Sequence, residues 1–405
     1  MRANLPLLFK KVLGNYFFAL AISAAFSASK AYFISKAVGA SAFAEYSYFA
    51  LAVGFGSIFA GAGVVLRCHT ELPAILQKKQ EGRLFLSQGR GWVLVASLAY
   101  GVFLSILGGI QRWSAELILL SGLQATLYLI FTFDLIVLKS RGQFSVYANL
   151  LMRRNLILFL GAITSAFLTG HTLYVMLVET LLNLVLGFHR LCRWKKSFSV
   201  PSKAYLQKTM LFVPVAMIGA FSQFSDKIVL SQIFSKADFA VYSYFSLVVV
   251  VGTTLQQFLN TRAIVVFSRK GEELPALWRD YRQVVLRAGQ FGLAALPAAG
   301  IFLTLDMVKP KWLMVDLEYM ACIVAIAFFR LIDFSQSALV CMHRKKSALS
   351  LQVMFVLLLV GGALLLSSSA VVISAHGLIL VAALAVWSAL SCLAGSSAVY
   401  FYCNK

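Results

Sequence analysis

The stretch FAEYSYFALAV, Phe43–Val53, returns 196 residues later as FAVYSYFSLVV, Phe239–Val249, with eight of eleven positions identical. Chance agreement among apolar residues would not reproduce the Tyr-Ser-Tyr core at the same offset, so the chain reads as one unit used twice. Around both copies the sequence is apolar for long runs. The 405 residues are 60% hydrophobic and only 13% charged, a balance that a water-soluble globule of this length could not solvate. Lipid must surround it.

A helix rising about 1.5 Å per residue needs about 20 apolar residues to cross the hydrocarbon, and the runs yield about twelve spans. The first six cover approximately Val12–Ile34, Ala44–Leu66, Gly91–Ile110, Ala115–Leu138, Asn155–Thr169 and Thr172–Phe188. The second six cover approximately Lys208–Phe234, Phe239–Thr261, Val284–Leu305, Glu318–Cys341, Ala348–Ser368 and Val371–Phe401. Arg153 and Arg154 interrupt the fifth run, which starts either after them or nearer Phe144 with the arginines snorkelling. The match begins the second span of one half and the eighth of the other. Six is even, so both halves enter the membrane from the same side, as parallel repeats. The expected fold is an all-α integral membrane protein of two parallel six-helix repeats: residues 1–192, a basic linker at 193–207 around Pro201, and residues 208–405.

The formal charge of +21 would suggest nucleic acid in a soluble protein, but the bases cluster between apolar segments and read as topology. The N-terminal segment, the even-to-odd connections and the C-terminus hold 28 lysines and arginines. The opposite connections hold Lys36, Arg112, Lys236, Lys309 and Lys311. This asymmetry puts both termini in the cytoplasm. None of the six cysteines forms a CxxC pair or a metal-ligand spacing, and no HExxH or Walker-type loop is present. Metal and disulfide chemistry and ATP use therefore have no residues to point to.

Within the spans lie a few charges, each costing about 2.5 to 3.5 kcal/mol at a helix centre on insertion scales, so each should face protein or water. The bases are Lys30, Lys227 and Arg330. Lys30 aligns with Asp226 at the offset of the repeat. Two readings of Lys30 are open: it snorkels to the nearby surface, or it lines a cavity. Arg330 and Asp333, three apart, share a helical face and read either as an ion pair or as separate functional groups. Asp226 and Lys227 point about 100° apart. Asp134 lies near Lys139 and reads as solvated or paired. Glu179 has no base near it in sequence and is a candidate for taking up and releasing a proton, because an apolar setting raises a carboxyl pKa. Gln256, Gln257, Asn260, Thr261 and Arg262 make the end of the eighth span polar, for a cavity mouth or for interhelical bonding. Tyr46, Tyr48, Tyr242 and Tyr244 read as interfacial belt residues.

Two local patterns carry a resemblance. Gly39–Ser47, a short turn with an aromatic leading into span two, and Asp226–Leu230 followed by Ala240–Ser243 stand at equivalent points of the two halves. They resemble the polysaccharide (O-antigen) flippase family, in the superfamily that also holds multidrug-and-toxin extruders and the lipid II flippase. The resemblance implies a bacterial cytoplasmic (inner) membrane protein that moves an undecaprenyl-pyrophosphate-linked oligosaccharide by alternating access. It also implies no cofactor, coupling to an H+ or Na+ gradient, and partnership with other polysaccharide-assembly membrane proteins. Arg330, Lys227 and Lys30 are then the expected cargo contacts, and Glu179, Asp226 and Asp333 the expected ion-coupling groups. Two alternatives stand beside it. One is a multidrug or cation antiporter of the same superfamily. The other is a membrane enzyme of polysaccharide assembly, whose families carry a long outer loop that this chain lacks.

Overall fold

The computed structural model describes residues 19–404 apart from 20–21, 24, 60, 62, 77–78, 111–112, 196, 270–273, 315, 343 and 369–376. The start of the first expected span, the start of the last and the basic N-terminal segment lie outside the described residues. Helix α1 covers residues 25–37. It is followed by α2 (Ala40–Phe59), α3 (Val64–Ile75), α4 (Lys79–Ile110), α5 (Ala115–Ser140), α6 (Phe144–Thr169), α7 (Thr172–Lys195) and α8 (Lys203–Met210). Then come α9 (Val213–Ile233), α10 (Lys236–Arg269), α11 (Leu274–Thr304), α12 (Leu317–Ile332), α13 (Ser335–Cys341), α14 (Lys345–Ser368) and α15 (Gly377–Cys403).

Among the described residues eight helices are long and apolar enough to cross a bilayer: α2, α4, α5, α6, α7, α10, α11 and α15. Helices α1, α9, the α12–α13 pair and α14 occupy the other four positions of the expected twelve. The chain is a multi-pass, all-helical membrane protein. Continuous apolar runs mark the helices, and local chemistry sets their ends. The Ser114 hydroxyl accepts the Leu117 N–H at 3.2 Å to start α5, and Asp316 accepts from Glu318 and Tyr319 at 2.9 and 3.2 Å to start α12.

Three expected boundaries are corrected. The fifth span begins at Phe144, so Arg153 and Arg154 lie inside α6 and Arg154 is buried rather than part of a basic connection. The tenth is broken at Asp333 and Phe334 into α12 and α13. The seventh is preceded by a separate short helix, α8, capped by Ser202, whose hydroxyl accepts the Tyr205 N–H at 3.2 Å.

The chain divides into two compact units, Met1–Phe224 and Ser225–Lys405. In the first, α5 packs against α2, α4 and α7; in the second, α12 packs against α10, α11 and α15. The same packing order thus occurs in each unit, as a duplicated helix set requires. Gly56 and Gly252 stand at the 196-residue offset, and each is a point of close approach. A Cβ on Gly56 would lie 2.1 Å from the Tyr100 ring of α4, and one on Gly252 2.9 Å from the Ala327 carbonyl oxygen of α12. Only glycine lets these neighbours in.

At one end of the first unit, Arg67 of α3 is 4% exposed and ties α8 down. Its Nη1 donates to the Tyr205 carbonyl at 3.0 Å and the Thr209 hydroxyl at 2.9 Å, and its Nε to Glu71 at 2.8 Å. The guanidinium lies 4.4 Å from the Tyr205 ring centroid and 5.0 Å from that of Phe85. Gly63, at φ +77°, makes the turn into α3 and has no room for a side chain, because a Cβ would sit 2.8 Å from the Val213 nitrogen.

Candidate functional site

Each unit contains a buried acid held by a base and a tyrosine. In the first, Lys30 of α1 places Nζ 2.6 Å from Glu179 Oε2 on α7, and the Tyr46 hydroxyl of α2 donates to Oε1 at 2.7 Å. The Glu179 side chain is 2% exposed, whereas that of Lys30 keeps 18%. Lys30 therefore does not snorkel away; its charge is spent across 149 residues of sequence. A polar network continues one turn along α7. Arg154 of α6 donates its Nε to Asn183 Oδ1 at 2.9 Å, and the Asn183 amide donates to Gln124 Oε1 at 3.1 Å. The Asn155 amide donates to the Ser23 hydroxyl at 2.8 Å. The Arg154 guanidinium lies over the rings of Tyr128 and Phe131, 4.6 and 4.9 Å from their centroids, and within electrostatic reach of Glu179.

In the second unit Arg330 of α12 places Nη2 3.1 Å from Asp226 Oδ1 on α9, and the Tyr242 hydroxyl of α10 donates to Oδ2. Again the acid is sealed, at 3%, while the base keeps 22%. Oδ1 takes no aligned hydrogen bond, so the Arg330 contact is an ion pair with guanidinium donors left unspent. Lys227 stands within electrostatic reach of both Asp226 and Arg330 and has no ion-pair or hydrogen-bond partner among the described residues.

Several expectations are corrected by this geometry. Arg330 does not pair with Asp333: α12 ends at Ile332, and the Asp333 carboxylate turns to the next helix, where Oδ1 accepts the Ser335 N–H at 3.0 Å and its hydroxyl at 2.5 Å. Tyr46, Tyr48, Tyr242 and Tyr244 are buried rather than interfacial. The first and third of these tyrosines hold the acids, and Tyr244 donates to the Leu303 carbonyl at 3.1 Å. Gln256 donates to the Asp333 carbonyl oxygen at 2.8 Å, so it serves interhelical bonding. The side chains of Gln257, Thr261 and Arg262 lie outside the described residues. Asp134 is paired: it accepts from Trp194 Nε1 at 3.0 Å and lies 3.6 Å from Arg190.

Sequence reasoning missed Arg154. Its signal was present as a base inside an apolar run, with Asn183 four residues beyond Glu179 on the same face of α7.

No known protein-family pattern matches the chain, and no curated protein matches it. Solved structures do. A multidrug resistance MATE family transporter of the MOP superfamily in an inward-facing conformation superposes with a TM-score of 0.65 over 94% of each chain, at 15% identity. The outward-facing conformation of a multidrug resistance MATE family transporter gives 0.52 over 98% of this chain and 96% of the other, also at 15% identity. A MOP superfamily transporter from Pyrococcus furiosus gives 0.56 over 98% and 96%, at 14% identity; it is described as having a binding pocket of reverse polarity that suggests a different function. This chain has the fold of those transporters. The all-helical membrane fold expected from the spans and the repeat is therefore the fold found.

Proposed function

We propose that the protein is an alternating-access flippase for a lipid-linked, pyrophosphate-bearing oligosaccharide in the bacterial inner membrane, with its basic connections in the cytoplasm. The observation that carries this reading is the surplus of base over acid in each unit. Lys30 and Arg154 surround one carboxylate, Glu179, and Lys227 and Arg330 surround one carboxylate, Asp226. After pairing, each cluster keeps one positive charge. The less buried member of each ion pair is the base, so its spare donors are the groups a phosphate would meet. In this reading Arg330, Lys227 and Lys30 contact the cargo. Glu179, Asp226 and Asp333 are the groups available to take up a coupling proton or sodium ion as a phosphate competes for the bases. Arg330→Ala and Arg330→Lys, expressed in a host that depends on this protein for surface polysaccharide, test it. Loss of glycan in the first and partial loss in the second are expected, and full glycan from both variants defeats the cargo role.

The structural neighbours described as multidrug transporters favour a second reading, export of cationic drugs. Both sealed carboxylates are already neutralised by bases, which weighs against it. Raised drug tolerance on overexpression with unchanged surface glycan would select it.

A further inference from the structure

At one end of the first unit a second group of cations stands apart from the two clusters. Asp134 of α5 has Arg190 Nη1 of α7 at 3.6 Å and Arg90 Nη2 of α4 at 4.0 Å. Arg193 lies within electrostatic reach of both arginines and contacts His189 at 2.7 Å. Two guanidiniums thus converge on a single carboxylate, with a third beside them, and one oxygen of that carboxylate is already taken by the Trp194 indole N–H.

Most of the Arg90 and Arg190 donors are unspent. Both distances to Asp134 are too long for good hydrogen bonds, and among the described residues the Arg190 guanidinium makes no hydrogen bond. Arg90 donates Nη1 to the Ser197 hydroxyl, but its Nε is sealed from solvent and has no partner. A buried guanidinium N–H without an acceptor is costly, so such an arrangement persists where an acceptor comes from outside. The walls are aromatic: Arg190 lies 4.5 Å from the Phe131 centroid and Arg90 5.7 Å from that of Trp194.

We propose that Arg90 and Arg190 form a binding site for the phosphate group of a lipid. A tetrahedral phosphate offers three or four acceptor oxygens and can engage two planar guanidinium forks at once, which one half-occupied carboxylate cannot. The side chains of both arginines keep 16% exposure, so the site is reached from its edge. It lies where α4, α5 and α7 carry their bases, the level at which headgroups stand under the charge asymmetry of the connections. Two sources share this chemistry, a membrane phospholipid and the pyrophosphate lipid proposed as cargo. The site stands on its own donor geometry and does not require the cargo to be a glycan.

The test is native mass spectrometry of the purified full-length protein, delipidated in detergent, with geranylgeranyl pyrophosphate and separately with phosphatidylglycerol. The double variant Arg90→Gln with Arg190→Gln is expected to weaken binding by about tenfold or more. Arg279→Gln with Arg282→Gln, an equal charge loss on exposed arginines of α11, is expected to leave it unchanged. Binding of the pyrophosphate alone assigns the site to cargo; binding of phosphatidylglycerol assigns it to membrane lipid. Absence of binding to the unmodified protein, unchanged binding in the first double variant, or equal loss in the second overturns the site. Should the first double variant fail to fold, Arg190→Lys keeps the charge but loses the fork: weakened binding is expected, and unaltered binding overturns the site.

Discussion

At position 30 the first unit carries a lysine, and 196 residues later the second carries Asp226; Tyr46 and Tyr242 keep the same offset and the same residue. In both units the tyrosine donates to a sealed carboxylate that also holds a base. The sign at the shared position is nevertheless reversed, and its partner comes from helices that do not correspond in the packing order. The acid of the first unit comes from α7, and the base of the second comes from α12. Duplication conserved the pair and its tyrosine but not which helix supplies which sign. Burying an ion pair is tolerable only when its partners and hydrogen bonds are complete, so the constraint falls on the set rather than on any position.

That comparison is broken most directly by removing one partner. Lys30→Ala leaves Glu179 without its ion-pair partner and Arg330→Ala does the same to Asp226; with Arg154 and Lys227 still within electrostatic reach, each is expected to lose about 3 kcal/mol of stability in detergent unfolding. Lys30→Met with Glu179→Gln, and Arg330→Met with Asp226→Asn, should each cost less than either of their parent single changes. Additive costs in either cycle would mean that the two groups do not act as a pair. A smaller effect sharpens the likeness. Tyr46→Phe and Tyr242→Phe each remove a hydroxyl donor to a buried carboxylate, for about 1.5–3 kcal/mol in both units. A large loss in one and none in the other would end the equivalence.

The smallest effect separates burial from geometry. Lys309 meets Asp306 at 2.6 Å, as short as Lys30 to Glu179, but the Asp306 side chain is 89% exposed. The Lys309 hydrogen bond holds the Asp306 carboxyl below the usual range. Any contribution to stability is therefore present above the ordinary aspartate pKa and lost as pH falls through the depressed one. Solvent screening makes that contribution negligible. Lys309→Ala should raise the Asp306 pKa, as read by NMR titration, while leaving the unfolding temperature unchanged; a clear fall in that temperature would contradict the role given to burial.

The spans and the repeat were legible because apolar runs and a local match are properties of contiguous sequence. The pairings were not. Glu179 finds its base on α1, and no spacing rule on one helix reports such a contact. The Arg330–Asp333 pairing, one of two readings that helical spacing allows, fails because α12 stops at Ile332. Arg154 reads as part of a connection because bases usually end a span, whereas its aromatic neighbours and Asn183 let it stay inside one. The tyrosines read as belt residues from their nearness to helix starts, which says nothing of the face they occupy.

The bond from Arg67 to α8 bears on how the chain is made. Its acceptors, Tyr205 and Thr209, are translated only after all of the first six crossings have been synthesised. Until then a guanidinium destined for burial waits without them. A fragment meant to fold as a free-standing first half must therefore reach at least Thr209, and one ending before Tyr205 is expected to be cleared by membrane quality-control proteases.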